Sequence, residues 1–261
     1  MSLLITCDAG GWKTPSRLRG RLENTPLAMS VKPQSVISMI RHDEPAGRSA
    51  ERLRNRGIDR EANLAARKLA RFSGGVLICN EYRADLIDVG RSLHHRDVFP
   101  AVARRLPQET REAIIEEIYM PYRNRVERQI EEMLRVWSYI VHVSVKTFDA
   151  KNASGHWRRG DVGLLYDPQR SEEVDWCLDL IDELYETIDE LRVRRNHPHR
   201  GTKDSLPKSM RTRFSPDVYL GVEITLNRAW ASRPIVRREN VLDRIGQAIG
   251  ALTEASIERA A

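Results

Sequence analysis

Residues 139–170, YIVHVSVKTFDAKNASGHWRRGDVGLLYDPQR, decide which fold this chain can adopt. Apolar and polar side chains alternate at the start of the stretch, which is the period of a β-strand with one apolar face. The two faces of that strand carry Val141, Val143 and Val145 on one side and Ile140, His142, Ser144 and Lys146 on the other. Turn-forming residues lead to a second short strand, Val162 to Tyr166. Ligands collect at the carboxyl ends of strands in α/β sheets, so Lys146 is expected to border a functional site.

Strands and helices alternate along the rest of the chain, which indicates an α/β fold. Further strands are predicted at Leu3–Thr6, Val76–Cys79, Arg192–Arg195 and Val218–Leu226. Apolar residues at helical spacing predict helices that begin near Ile58, Pro107, Ser171 and Val241. Pro121 is expected to interrupt the second of these helices. Residues 12–54 are rich in Pro, Ser and Arg with little periodicity, so a loop-rich insertion is predicted there.

The composition favours one α/β domain spanning residues 1–261, with 41% apolar residues to form its core. The net charge is +6, but the 43 basic residues are mixed with 37 acidic ones, so small anionic molecules are more plausible partners than nucleic acid. No stretch is apolar enough to span a membrane and no signal peptide is evident, so we expect a cytoplasmic protein without a membrane partner. The oligomeric state is not indicated.

The three cysteines, Cys7, Cys79 and Cys177, are far apart in the sequence. Their number and spacing do not fit a disulfide framework or a cysteine zinc site. Each lies in or beside an apolar segment, where a free cysteine is expected to pack as a small apolar residue.

Several segments together resemble the N-formylglutamate amidohydrolase family, whose members are similar in fold to zinc exopeptidases and hydrolyse an amide bond. The matching strings, in chain order, are CDAGG (7–11), NRGIDREA (55–62), RADLIDVGRSLHHRDVF (83–99), HVSVKTF (142–148), WRRGDVGLLYDPQR (157–170), VRRNHPHRG (193–201) and YLGVEITLN (219–227). Their order and spacing carry the resemblance. It implies a three-layer α/β/α domain with a mixed central sheet.

The resemblance also implies a zinc site, and this chain departs from it. The family's metal-binding histidines fall on Ala9, Asn55 and Lys146, while acidic residues remain at Asp8 and Asp59. Catalytic zinc needs three protein ligands, and an alanine supplies none while a lysine ammonium repels the ion. We therefore expect a vestigial site with no cofactor.

Lys146 and Glu223 are the candidate catalytic residues. An ammonium at Lys146 is expected to neutralise carboxylates such as Asp8 and Asp59 in place of a metal. The alternative is a lysine that points into solvent at the end of its strand. Glu223 lies inside an apolar strand, so it is expected to be either a general base or the partner of a buried cation.

Five residues fall on matched segments and are candidates for binding the substrate: Arg158, Asn196, Arg200, Asp88 and Arg91. An arginine fork can bind a carboxylate through two parallel hydrogen bonds. The alternative is that Arg158 and Arg200 form structural ion pairs with Asp161 and Asp204.

Four histidines in loops offer a second possible metal site, His94, His95, His197 and His199. A relocated site would combine His197 and His199 with Asp204, whereas paired loop histidines are more often ordinary surface residues.

Two functions from different classes follow. The first is an amidohydrolase-like protein that has lost zinc-dependent hydrolysis and binds a small acidic ligand, either a dicarboxylate or an N-acyl amino acid. The second is an active hydrolase that cleaves an N-acyl amino acid with Glu223 and a displaced metal. A basic surface that binds nucleic acid or another protein is a third, weaker alternative.

Overall fold

The computed structural model describes residues 2–22, 59–229 and 233–260 of the chain. Its strands are β1 (Leu3–Cys7), β2 (Val76–Cys79), β3 (Ile140–Phe148), β4 (Val162–Leu165), β5 (Val193–Arg195) and β6 (Tyr219–Asn227). All six form one sheet in the order β2-β1-β3-β6-β4-β5. The first four neighbours are parallel, β4 is antiparallel to β6, and β5 is parallel to β4. The sheet is therefore mixed, as predicted.

Helices cover both faces of the sheet. They are α1 (Ser16–Leu22), α2 (Arg60–Ser73), α3 (Gln108–Ile114), α4 (Met120–Leu134), α5 (Ser171–Thr187), α6 (Leu206–Arg211) and α7 (Ile235–Ala260). One apolar core lies between the sheet and α2, α5 and α7, and a second lies on the opposite face under α1, α3, α4 and α6. This arrangement confirms the three-layer α/β/α architecture. Most of the predicted insertion at 12–54, with Asn55, lies outside the described residues.

The alternation predicted for β3 is confirmed, and it sets the position of the site. Val141, Val143 and Val145 are buried in the first core, together with every second residue of β1 and β6. The opposite face of the same three strands is apolar at the amino ends and becomes polar toward the carboxyl ends. Its buried polar residues are Thr6, His142, Ser144, Glu223, Thr225 and Asn227. Buried polar groups without hydrogen bonds are costly, so these side chains need hydrogen-bond or ion-pair partners on this face of the sheet.

Pro121 interrupts the long helical pattern in the way its chemistry requires. A π-helical turn, Ile115–Tyr119, separates α3 from α4, and Pro121 lies in the first turn of α4. The backbone is helical on both sides of this turn, and Met120 donates its N–H to the carbonyl of Ile115, five residues back. Proline cannot donate such a bond, and the wider π-helical turn just before Pro121 is where the regular α-helical ladder is broken. The last helix, α7, begins six residues before the predicted Val241, since the segment that opens it has no regular apolar spacing.

Within the described residues, no helix is long and apolar enough to cross a lipid bilayer.

Candidate functional site

Three charged side chains meet at the carboxyl ends of the adjacent parallel strands β1, β3 and β6. The Lys146 Nζ atom lies 2.7 Å from Glu223 Oε2 and 3.4 Å from Asp8 Oδ2. Both carboxylate side chains are 2% exposed, whereas the lysine side chain is 25% exposed. The ammonium therefore lies between two buried acids, with one side open toward the site.

The charge of Lys146 is fixed by these neighbours. Burial alone would lower the pKa of the lysine, but the carboxylates of Glu223 and Asp8 more than offset it and raise the pKa above that of a free lysine. A lysine that stays protonated cannot act as a base or a nucleophile. Its contribution to the site is a single, permanent positive charge.

Two residues that the sequence did not single out hold Asp8 in place. The hydroxyl of Tyr122 donates a hydrogen bond of 2.7 Å to Asp8 Oδ1. Gly90 lies against the other carboxylate oxygen, because a Cβ atom added there would come within 2.5 Å of Asp8 Oδ2. Any larger residue at Gly90 would displace the carboxylate or itself, so this glycine makes room for the Asp8 side chain.

The expected pairing of Lys146 with Asp59 is wrong, because Glu223 takes that place. Asp59 is the N-cap of α2, and its Oδ1 atom accepts a hydrogen bond from the backbone N–H of Ala62 at 3.0 Å. Its Oδ2 atom accepts a hydrogen bond of 2.5 Å from the Thr147 hydroxyl and lies 3.6 Å from Arg228. The Asp59 carboxylate is therefore bonded to the helix N-terminus, Thr147 and Arg228, and it does not pair with the Lys146 ammonium.

The side chains that are present do not fit a catalytic zinc ion. A cation at Lys146 stands between the two acids, and Ala9 offers only a methyl group where the family pattern has an imidazole. Across 2–22, 59–229 and 233–260, no three His, Cys, Asp or Glu side chains gather to bind a metal. The relocated site that would use His197 and His199 with Asp204 is not formed, and Asp204 instead accepts hydrogen bonds from Ser92.

The candidate binding residues occupy different environments. Arg91 pairs with Asp88, at 2.9 Å between Nε and Oδ2. Arg158 is partly buried, and Arg200 is exposed. The Asn196 side chain is used by the fold, since its Oδ1 atom accepts a hydrogen bond of 2.7 Å from the N–H of Gly201.

The structural ion pairs considered for Arg158 and Arg200 are not the ones found. Asp161 pairs with Arg192 and Arg233, at 3.0 Å and 2.7 Å. Asp204 is bonded to Ser92, as described above.

The loop histidines lie in three settings. His95 is 3.0 Å from Arg91 Nη1, and His94 is exposed on the same loop. The ring of His197 packs edge-on against Phe148. Burial lowers the pKa of His199, and the nearby Glu223 carboxylate opposes that shift. His199 therefore lies beside the charged cluster of Asp8, Lys146 and Glu223.

Below the cluster, His142 lies in a buried polar network on the same face of the sheet. Its Nε2 atom is 2.9 Å from the Thr6 hydroxyl, and its Nδ1 atom is 2.6 Å from the Tyr219 hydroxyl. Complete burial lowers the pKa of His142 to about 3. The imidazole is neutral at physiological pH and connects β1, β3 and β6 through hydrogen bonds.

Because His142 is buried in its neutral form, we expect it to lower the free energy of unfolding in acid. In the unfolded chain the His142 imidazole takes up a proton near pH 6.5, whereas in the folded protein it does so only near pH 3. The unfolded state therefore binds more protons below pH 6.5, and the free energy of unfolding falls there by up to roughly 1.4 kcal/mol per pH unit. His142→Gln removes that titration, so the difference in unfolding free energy between wild type and variant should shrink from pH 7 to pH 4.5. Urea unfolding at several pH values measures it.

The exposed His156 provides the matched control. His156→Gln should follow the wild-type pH dependence throughout. Parallel stability curves for wild type and His142→Gln would contradict the prediction.

Comparisons with known proteins agree with this architecture. A family model described as N-formylglutamate amidohydrolase matches residues 44–229. The crystal structure of a gene product from Agrobacterium tumefaciens is similar, with a TM-score of 0.71, 17% sequence identity, and coverage of 98% of this chain and 91% of that one. The crystal structure of N-formylglutamate amidohydrolase from Ralstonia eutropha JMP134 has a TM-score of 0.70, 16% identity, and coverage of 100% and 95%. No curated protein matches. At these identities the structural likeness concerns the fold.

Proposed function

Because this chain belongs to the N-formylglutamate amidohydrolase family, we propose that it has lost zinc-dependent amide hydrolysis and keeps a pocket for a small acidic ligand. The observation that carries the proposal is the Lys146–Glu223 ion pair at 2.7 Å, with Asp8 on the other side of the ammonium. One positive charge replaces that of a metal and preserves the shape of the cluster.

Hydrolysis needs an activated water, and neither Glu223 nor Lys146 is free to activate one. Glu223 is buried and paired with Lys146, so its carboxylate is not available as a general base. Lys146 remains protonated, so it does not accept a proton either. An ammonium also lacks the open coordination position through which zinc activates water and polarises a carbonyl group.

Arg158 and the two neighbouring loop histidines favour an acidic ligand. Among the described residues, no hydrogen-bond partner exists for the buried Nε atom of Arg158, for Nε2 of His197 or for Nδ1 of His199. Burial and the nearby Arg158 lower the pKa of His197, which places the arginine and this imidazole close together. Buried polar atoms without partners are costly, and a ligand carboxylate would accept a hydrogen bond from the Arg158 Nε–H. It would accept one from either imidazole as well where the unpartnered nitrogen carries the proton.

Ligand binding tests the proposal. Titration of the protein with N-formylglutamate, glutamate and glutarate should raise the melting temperature, because a ligand at one hundred times its dissociation constant adds about 2.7 kcal/mol to the stability of the folded state. Glutamine, with one carboxylate fewer, should stabilise less. N-formylglutamate should be recovered intact after incubation.

The adjacent arginines Arg158 and Arg159 form a matched pair for this experiment, since Arg159 is exposed. Arg158→Ala should abolish the ligand-induced shift, and Arg159→Ala should leave it unchanged. Release of formate by the wild-type protein would contradict the loss of hydrolysis. A melting temperature that none of the dicarboxylates changes would contradict the acidic-ligand pocket.

A further inference from the structure

Cys7 and Cys79 face each other across the neighbouring parallel strands β1 and β2. The two residues are direct partners in the strand register, so their side chains point to the same side of the sheet. Cys7 is fully buried in the first apolar core, and Cys79 packs against that core while remaining partly exposed. The chain thus pairs a protected thiol with an accessible one.

The spacing of the strands brings this pair within reach of a covalent bond. Neighbouring strands lie about 4.7–4.9 Å apart, which falls within the Cα separation of roughly 4.4–6.8 Å found in disulfides. Disulfides also need Cβ atoms about 3.5–4.5 Å apart, so the two strands must draw together slightly at this point. A bond formed under such strain is reduced easily, which is a property of regulatory disulfides.

The environment of Cys79 suits the attacking thiol. A hydrogen bond with Cys7 lowers the pKa of Cys79, and the guanidinium groups of Arg67 and Arg125 lower it further against the opposing effect of burial. Oxidants react with thiolates, so an accessible thiol with a lowered pKa reacts first.

We propose that Cys7 and Cys79 form a reversible, peroxide-sensitive dithiol at the carboxyl ends of β1 and β2. The Cys79 thiolate attacks hydrogen peroxide, breaks the O–O bond and becomes a sulfenic acid, while the hydroxide that leaves takes up a proton to give water. The sulfur of Cys7 then attacks the sulfenic sulfur and forms the S–S bond. The sulfenic oxygen leaves as a second water, so two thiols are oxidised and one peroxide is reduced.

Oxidation at this place lies next to the charged cluster. Cys7 immediately precedes Asp8, and Asn80 follows Cys79 in the same way on β2. The Asn80 backbone N–H donates a hydrogen bond of 2.9 Å to the carbonyl of Cys7, and its side-chain amide donates one of 2.9 Å to the carbonyl of Asp8. A disulfide that draws the ends of β1 and β2 together would therefore shift the backbone that holds Asp8.

Peroxide treatment of the reduced full-length protein tests the proposal. A slight molar excess of hydrogen peroxide should remove two of the three thiols and lower the intact mass by two hydrogen atoms. Peptide mapping should show one peptide pair linked through Cys7 and Cys79, and dithiothreitol should restore both thiols.

The third cysteine gives a matched control, because Cys177 is fully buried in α5 and burial raises its pKa. Cys177→Ser should form the same linked peptide, whereas Cys7→Ser should accumulate a sulfenic acid at Cys79 that dimedone traps. Thiols of the folded wild-type protein that resist peroxide would overturn the proposal, as would oxidation of Cys79 to sulfinic acid without linkage to Cys7. The peptide map of the wild type decides the matter even if a serine variant fails to fold.

Discussion

Replacing Lys146 with methionine is expected to lower the free energy of unfolding by roughly 3 kcal/mol, near the lower end of what the loss of one partner in a buried ion pair costs. The variant leaves the carboxylates of Asp8 and Glu223 without their cation, although both are 2% exposed. The lysine side chain itself is 25% exposed, so water reaches the site and limits the penalty. Chemical denaturation at pH 7 measures the difference.

Two comparisons separate this effect from a general intolerance to losing a lysine. Lys13 forms an exposed ion pair with Glu81 at 2.6 Å, and solvent screens exposed pairs, so Lys13→Met should cost much less than Lys146→Met. The double variant Lys146→Met with Glu223→Gln should recover part of the lost stability, because it removes one of the unpaired charges. Equal costs for Lys146→Met and Lys13→Met would contradict the buried cluster.

The central strand and its polar carboxyl end could be predicted from the sequence, because the alternation in β3 depends only on residues next to one another. The same two-residue period places Val143 in the apolar core and Lys146 on the polar face at the end of the strand. Glu223 was expected to be either a general base or the partner of a buried cation, since an isolated carboxylate inside an apolar strand is too costly. The ion pair with Lys146 is the second of these arrangements, and the sequence alone did not choose between them.

The partners of these residues could not be predicted in the same way, because they depend on how separate elements pack. The lysine was expected to neutralise Asp8 and Asp59, and it does lie against Asp8, but the parallel register of β3 and β6 brings Glu223 to it in place of Asp59. A local signal for Asp59 did exist, since an aspartate just before a helical pattern is a common N-cap. Tyr122 comes from α4, whose π-helical start sets its rotation, and no local pattern indicates that its hydroxyl reaches Asp8.

Long-range ion pairs show the same limit. Glu173 and Arg211 form a buried pair at 2.7 Å that joins α5 to α6, although 38 residues separate them. The pairing of Cys7 with Cys79 is another contact that only the sheet order establishes, because spacing in the sequence made these cysteines look independent.

Introducing imidazoles at Ala9 and Lys146 is expected to raise the affinity of the chain for zinc. Ala9→His combined with Lys146→His removes the competing ammonium and adds two nitrogen ligands beside Asp8 and Glu223. Changes around the ligands typically alter metal affinity by 10–100-fold, so replacing the ligands themselves should raise it by more than about a hundredfold. Each single variant should gain less, because each leaves one position without a donor.

The zinc retained after exhaustive dialysis, measured for the purified wild-type protein and for the double variant Ala9→His/Lys146→His, tests whether the Lys146 ammonium excludes the metal. We expect a wild-type zinc content far below one ion per chain and a double variant that retains close to one. About one tightly held zinc per wild-type chain would contradict the claim that the Lys146 ammonium has taken the place of the metal.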